Sequence, residues 1–453
     1  MTFQFMAQAN HAVLLAALAL LGLAGTWPVW LTARYFGVRQ RGLACDRALL
    51  GRTLAPGEPL PHVLVQLPIF NEPQLVRRVI EAAAALDWPA DKLHIQILDD
   101  STDESTAIAR EVAARHRGRG LDVELLHRAE RADYKAGALR DGLRQSSCDY
   151  IALFDADYVP APDFLRRCMC HLLADPTLAF VQARLEWLNP HQNALTRAQQ
   201  IMLDGHFAVE FAMKSWCGYL MNFCGTGGIW RRAAIDDAGG WSGATLLEDA
   251  DLAYRAQLRG WRALYLSGVT VPGELPDTLR TWRVQQARWA KGFSQVARQS
   301  WSECWRSELP FARKLVFAAN LLVGMFGAVL DIALITGVID VLTGFGPTAL
   351  STSLASFVVL QVCASVVAVM VVGQSTLRGA GARQSILRAL ASISFHIYAH
   401  MRAAADVLDG LRGKATPFVR TAKKGTVALG TGDIRAPAAS IGRLAEQRVV
   451  DRD

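Results

Sequence analysis

The chain has 453 residues, enough at roughly 150 per domain for about three packing units. Apolar residues make up 51% and charged residues 20%, which excludes a mainly disordered or low-complexity protein. The 48 Lys and Arg against 41 Asp and Glu leave a net charge of +7, spread between soluble and juxtamembrane segments, and this spread argues against a nucleic-acid partner.

From Met1 to Ala33 there is no Lys, Arg, Asp or Glu, and residues 12–33 are apolar enough to cross about 30 Å of hydrocarbon as a helix. The segment 1–36 therefore reads as a transmembrane anchor. A cleaved signal peptide would want a basic start and a shorter apolar run. Arg34, Arg39 and Arg41 follow the anchor, so the positive-inside bias puts the N-terminus outside and the following residues in the cytoplasm. The 8 cysteines form no CxxC pair. Cys168, Cys170 and His171 cluster without the second ligand pair that a structural zinc needs, and all eight read as reduced packing thiols.

From about His62 short apolar runs (HVLVQL, HIQIL, DVELL, DYIALF) alternate with helix-like stretches, which predicts βαβ units and a mostly parallel sheet covered on both faces. Ligands of such a sheet sit at the carboxyl ends of its strands. The acidic runs LDDST (98–102) and FDADY (154–158) fall there. Asp99 and Asp100 precede Ser101, Thr102 and Asp103, all good helix-capping types, so capping is one reading of that cluster. Asp155 and Asp157 end a buried strand, where carboxylates are costly unless they hold a cation or hydrogen bonds. Two hard oxygen ligands beside a phosphate suit Mg²⁺ or Mn²⁺ and suggest a nucleotide-diphosphate substrate. Neither GxGxxG nor GxxxxGK[ST] occurs at the strand ends, which removes support for a dinucleotide oxidoreductase or a P-loop NTPase.

After Lys314 the apolar stretches 315–342 and 352–372 predict two further membrane helices within the segment 313–374. Asp331 lies inside the first, as either a wetted interfacial residue or a pathway group. Residues 387–411 carry an apolar helical stripe with Arg388, His400, Arg402, Asp406 and Asp409 mainly off it, and predict a helix lying in the membrane interface within 375–425, with a fourth spanning helix as the alternative. The tail 426–453 is rich in Ala and Gly and reads as mobile.

The ordered set QLPIFNE (66–72), LDDST, YKAGAL (134–139), FDADY, FVQARLEWLN (180–189), FCGTGGIWRR (223–232), AGGW (238–241), LLEDADL (246–252) and ELPDTLRTWRVQQARW (274–289) resembles the cytosolic domain of membrane-bound family 2 glycosyltransferases. Within that family it is most similar to the cellulose-synthase-like mannan and glucomannan synthases and their bacterial relatives. PFVRTAKKG (417–425) resembles the gating-loop motif FxVTxK of cellulose synthases, with Arg420 in place of the Val, and the FVRTPK form of bacterial relatives, with Ala422 in place of the Pro.

The resemblance implies an α/β fold of the GT-A type: a Rossmann-like, mostly parallel sheet in a cytosolic domain (60–273), interfacial helices with QxxRW (274–312), and transmembrane and interfacial α-helices. It implies that Asp99 or Asp100 contacts the base and ribose of a nucleotide-diphosphate sugar, that Lys135 lies on the nucleotide side, and that Asp155 and Asp157 hold Mg²⁺ or Mn²⁺ on the diphosphate. Asp249 matches the last residue of the family's Thr-Glu-Asp motif, with Leu247 in place of the Thr, and would be the general base. Phe223, Cys224, Gly225 and Thr226 would line the acceptor site with Gln285 and Trp289, while Arg288, Thr421 and Lys423 would meet the diphosphate. The implied function is metal-dependent, inverting transfer of a hexose from GDP-mannose or UDP-glucose in β linkage to a growing glycan at the inner membrane. A single transfer to a membrane lipid stays open as an alternative. So does a membrane-tethered sugar-nucleotide binder without turnover. A homo-oligomer or an accessory export partner is compatible with each.

Overall fold

The computed structural model describes residues 2–425 apart from 55, 56, 58, 324, 401, 402, 415–418, 422 and 424. The tail 426–453 and Phe418 and Ala422 of the loop motif lie outside the described residues.

The first helix, α1 (Thr2–Leu50), runs on well past the expected anchor and is about 70 Å long at 1.5 Å per residue. An alternation of strands and helices follows, as the apolar rhythm predicts: β1 (Val63–Ile69), α2 (Pro73–Ala84), β2 (Leu93–Asp99), α3 (Ser105–Arg117), β3 (Asp122–His127), α4 (Tyr134–Arg144), β4 (Tyr150–Leu153), α5 (Phe164–Ala174) and β5 (Leu178–Trp187). Next come α6 (Ala194–Gly205), a π-helical turn at His206–Phe211, α7 (Ala212–Cys217), β6 (Gly228–Arg231), α8 (Arg232–Asp237), α9 (Glu248–Leu258) and β7 (Arg262–Gly273). The remainder is helical: α10 (Leu279–Arg306), α11 (Phe311–Val323), α12 (Phe326–Leu342), α13 (Ala349–Arg378), α14 (Ala382–His400) and α15 (Ala403–Leu411).

The chain forms two compact units. One comprises Arg41–Pro190 and Met221–Leu275 together with the described residues after 421. Its seven-stranded sheet has the order β3-β2-β1-β4-β6-β5-β7. Only β6 runs antiparallel to its neighbours, and the other pairs are parallel. The strands β1, β2 and β4 are buried along almost their whole length, because helices cover both faces and leave no water for polar side chains. At their carboxyl ends Ile69, Asp99 and His127 stand side by side in register, which brings the acidic run of β2 next to the last residue of the edge strand.

The other unit comprises Met1–Gln40, His191–Leu220 and Pro276–Thr421. Two of its described helices are long and apolar enough to cross a membrane: α1, over Gln4–Leu50, and α13. The stretch 315–342, read as one crossing, falls on two helices, α11 and α12, whose directions differ by 56°; taken as one bent pair they make a third candidate crossing. Apolarity alone carries no information about such a bend. Leu18 and Leu21 of α1 pack with Ala333 of α12 and Val358 of α13. Asp340 is nearly fully buried, accepts from Asn10 Nδ2 at 2.5 Å and lies 2.6 Å from His11 Nδ1, so the start of α1 is pinned to the end of α12. Asp331 acquires a structural role, since its Oδ2 accepts the Ala404 amide at 3.2 Å in the first turn of α15, as an N-terminal cap does. The interfacial stripe 387–411 falls on two helices, α14 and α15, and neither is among the candidate crossings.

Arg378, in the last turn of α13, grips Asp204 of α6 through two hydrogen bonds of 3.0 and 2.7 Å, and the Asp204 side chain is only 3% exposed. An Arg378→Ala variant is expected to lose about 3 kcal/mol of stability, because a buried carboxylate is left without its cation. A melting temperature in detergent equal to that of the parent protein would refute this.

Candidate active site

The sheet unit places several of the expected residues at one point. Phe154 is buried after β4, and the next residues, Asp155 and Asp157, leave the sheet at its carboxyl end. The Asp155 amide donates to Thr226 Oγ1 at 3.0 Å, and Thr226 is itself 1% exposed. Gln182 of β5 holds the same loop from beneath, its Oε1 accepting the Cys224 amide at 2.9 Å and its Nε2 donating to Thr226 O at 3.0 Å. Phe223, expected at the acceptor, is fully buried against Phe180 and Trp230, so its ring supports the loop from inside the core. Gly225 turns the loop with φ +77°, a region that glycine enters without steric cost.

Lys135 joins these pieces. It opens α4 behind Asp133 and Tyr134, whose φ values of 56° and 49° are left-handed and strained for residues with a side chain. That entry directs the ammonium to Asp155 Oδ1 at 2.6 Å, to Gly225 O at 2.9 Å and to within 3.7 Å of Glu248 Oε1. Burial alone would lower the Lys135 pKa, but Asp155, Glu248 and Asp249 around it outweigh that and hold it above its ordinary value. Asp155 is lifted above the usual carboxylate range by burial, with Lys135 opposing and Asp157 reinforcing the shift.

Asp249 lies in the first turn of α9, where its Oδ1 accepts the Ala250 amide at 2.8 Å. Its Oδ2 sits so close to Gly225 that a Cβ on that glycine would lie 2.7 Å away. Burial, and then the Glu248 carboxylate beside it, push the Asp249 pKa up to about 7, against the pull of Lys135. A half-buried carboxylate that changes charge near neutral pH, beside a second carboxylate and an ammonium, is suited to take a proton.

Asp157 has a different partner. Lys423 Nζ lies 3.0 Å from Asp157 Oδ2 and also donates to the Glu274 carbonyl. Glu274 is in turn fixed by Arg78 Nη1 at 2.7 Å and accepts the Gly425 amide at 3.1 Å. The two aspartates therefore each face an ammonium. Asp99 and Asp100 are engaged by the protein itself: Asp99 is fully buried, and Asp100 accepts from Arg128 Nε and Nη2, both at 2.7 Å.

Gln285, Arg288 and Trp289 belong to the helical unit. They are partly exposed on one side of α10, at the i, i+3, i+4 spacing of a single face, while Trp282, Gln286 and Ala290 form its buried side. Thr278 caps that helix by accepting the Thr281 amide at 3.2 Å. Thr421 is buried in the same unit, and Arg420 lies next to it in the chain. The sequence reading missed Gln182, Glu248, Glu274 and Arg78. The first three lie in the quoted motifs and Arg78 does not, but their importance is a matter of partners brought from distant parts of the chain.

The profile of glycosyltransferase-like family 2 matches residues 61–300, more than half of the chain. The chain belongs to this family. Two relatives from Arabidopsis thaliana carry the name glucomannan 4-beta-mannosyltransferase: number 2 is 46% identical over 252 residues, which is 55% of this chain and 47% of the relative, and number 9 is 44% identical over 243 residues, 53% and 46%. A third, glucomannan 4-beta-mannosyltransferase 1 of Oryza sativa subsp. japonica, is 41% identical over 252 residues, 55% and 48%. The chain spans about half the length of the curated relatives it matches. Among solved structures, a mannosyltransferase from Pyrobaculum calidifontis in complex with GDP-mannose and Mn²⁺ aligns over 86% of this chain and 100% of its own, with a TM-score of 0.57 and 20% identity. At that identity the likeness is one of fold, and family membership and sheet order together make the sheet unit a GT-A-like glycosyltransferase fold.

Proposed function

We propose that the protein is an inverting glycosyltransferase that moves a hexose, mannose before glucose, from a nucleoside-diphosphate sugar to the end of a growing β-linked glycan at the inner membrane, with its site on the cytoplasmic side. The observation that carries this reading is Asp249, a half-buried carboxylate pushed up to about 7 and set against the Lys135–Asp155 pair on the glycine turn at 225. The names of the relatives favour mannose and a 4-linkage. The two helices long and apolar enough to cross a membrane support a membrane-bound enzyme.

Asp249 takes the proton of the acceptor hydroxyl as that oxygen attacks the anomeric carbon. The bond from that carbon to the diphosphate breaks, the nucleoside diphosphate leaves with the electron pair, and attack on the opposite face turns an α-linked donor into a β-linked product. Lys423 brings a cation to the diphosphate side, where negative charge grows, and Arg288 is the second cation that the family resemblance implies. The donor set of Asp155 and Asp157 fits a divalent ion, because both are hard oxygens at a point built to receive positive charge, each already facing an ammonium. Two carboxylates leave room in the shell of Mg²⁺ or Mn²⁺ for the waters and phosphate oxygens that these ions keep. Such an ion, held by Asp155 and Asp157, would supply charge stabilisation for the departing diphosphate. Asp100 and Trp289 remain the proposed contacts for the nucleoside and for a sugar ring, and Cys224, Gly225 and Thr226 for the acceptor.

The test uses the purified protein in lipid vesicles with Mn²⁺ or Mg²⁺ and radiolabelled GDP-mannose, GDP-glucose and UDP-glucose. Label is expected in a polymer that an endo-β-mannanase degrades. Label in the organic phase would replace the glycan acceptor by a lipid, and no incorporation alongside nucleotide binding would leave a binding protein.

A further inference from the structure

Cys217 ends α7, and Gly218 closes that helix in the left-handed conformation with φ +64°. The Gly218 and Tyr219 amides donate to the Ser215 and Lys214 carbonyls at 3.2 and 2.9 Å, so the backbone of the turn is satisfied from within. Each residue of the turn meets a side chain from elsewhere in the helical unit. The Arg34 guanidinium of α1 lies against the Cys217 thiol. Arg313 of α11 brings its Nη2 to 3.2 Å from the point where a Cβ on Gly218 would stand. The Tyr219 ring faces Trp30 of α1 with centroids 6.1 Å apart, and Trp27 stacks on Trp30 at 5.1 Å.

Two guanidinium groups brought to adjacent residues of one turn repel each other unless an anion joins them. Among the described residues neither Arg34 nor Arg313 forms an ion pair, and a thiol is too weak an acceptor to occupy a group with five N–H donors. The lysines beside them in the chain are engaged: Lys214 faces Glu210, and Lys314 donates to the Trp305 and Ser307 carbonyls at 2.9 and 2.6 Å. The sequence sets the depth of the free pair. Arg34 is the first charged residue after the uncharged run that ends at Ala33, and Arg313 stands just before the apolar stretch that begins at Leu315. Both sit where an apolar helix meets its polar flank, the level of lipid phosphates, and Trp and Tyr rings gather at that level. A planar guanidinium fork matches a pair of phosphate oxygens.

We propose that Arg34 and Arg313 form a binding site for the phosphate of an anionic membrane lipid, with Trp30 and Tyr219 against its glycerol and upper acyl chain. The bound phosphate joins α1 to α11 across the end of α7. A soluble phosphate offers the same oxygens but gives the two rings nothing to cover, which favours the lipid. The proposal goes beyond the transferase reading and does not depend on it.

The experiment is native mass spectrometry of the full chain in detergent, titrated with phosphatidylglycerol or phosphatidylcholine, and it reads the affinity for the first lipid bound. The parent protein is expected to prefer phosphatidylglycerol about tenfold. Arg34→Gln and Arg313→Gln are each expected to weaken phosphatidylglycerol about tenfold, as for the loss of a hydrogen-bonded charge, and to leave phosphatidylcholine unchanged. Arg41→Gln, which removes an exposed cation further along α1, is expected to change neither lipid. Equal affinity of the parent protein for the two lipids would overturn the proposal. So would an equal loss in Arg41→Gln, which would show attraction by general surface charge, or a loss of both lipids in the Arg34 and Arg313 variants, which would show a structural role. Inorganic phosphate in large excess is expected to leave the lipid bound, and its displacement of the lipid from the parent protein would replace the lipid by a soluble phosphate and overturn the assignment.

Discussion

Replacing Asp249 by Asn is expected to lower sugar transfer by about 10²–10⁴-fold, the usual contribution of a positioned general base. The same change is expected to raise the melting temperature by a few degrees at pH 8, by less at pH 5 and hardly at all at pH 3. Both effects follow from the carboxyl being held at about 7 by burial and by Glu248. In the unfolded chain the group ionises in the ordinary carboxylate range, so the folded state binds the proton more strongly. Its contribution to stability is present at acid pH and is lost as the pH rises through about 7. Asparagine has no charge to bury and escapes that loss. For the parent enzyme, kcat/KM should climb along a limb centred near pH 7, since the base acts only when deprotonated. Full activity in Asp249→Asn, or a limb near pH 4, would remove Asp249 from its role.

Gly225→Ala is expected to lower kcat about 100-fold with little change in nucleotide affinity. The added Cβ would lie 2.7 Å from Asp249 Oδ2 and 3.3 Å from Lys135 Nζ, so the base and its neighbouring cation must both shift. Displacements of that order cost about two powers of ten in a reaction that depends on alignment. Part of any effect could come from the backbone, which at φ +77° is unfavourable for alanine by about 1–2 kcal/mol. Gly240 provides the control. It has the same φ of +77°, and a Cβ there meets nothing within 4 Å. Gly240→Ala should therefore lose similar stability and keep its activity. Equal activity losses in the two variants would show that strain, and not crowding of the base, is responsible.

The alternation of apolar runs announced the first four strands, because strands covered on both faces must be apolar throughout. The acidic runs marked where those strands end. β5 and β7 were not read as strands, although they form one edge of the sheet, and β6 inserts antiparallel between β4 and β5, an order that no local pattern encodes. The same distinction holds in the site. Asp155, Asp157 and Asp249 stand in motifs, and their residue types alone suggested cation binding and proton transfer. That Asp99 is sealed within the protein, and that Asp157 faces Lys423 from a segment more than 260 positions away in the sequence, depends on packing between distant parts of the chain. The membrane segments show the limit from another side. Hydropathy located residues 315–342, but the bend between α11 and α12 is geometric and leaves no trace in composition.

Lys423 touches Asp157 and Glu274 at once, and the Gly425 amide meets Glu274 as well, which ties these two residues to the sheet unit. A cation or a diphosphate arriving at Asp157 must therefore compete with part of the protein's own chain. Occupancy of the site and that tether become two readings of one event, and a spin label or fluorophore attached beside Lys423 would report the first through the second.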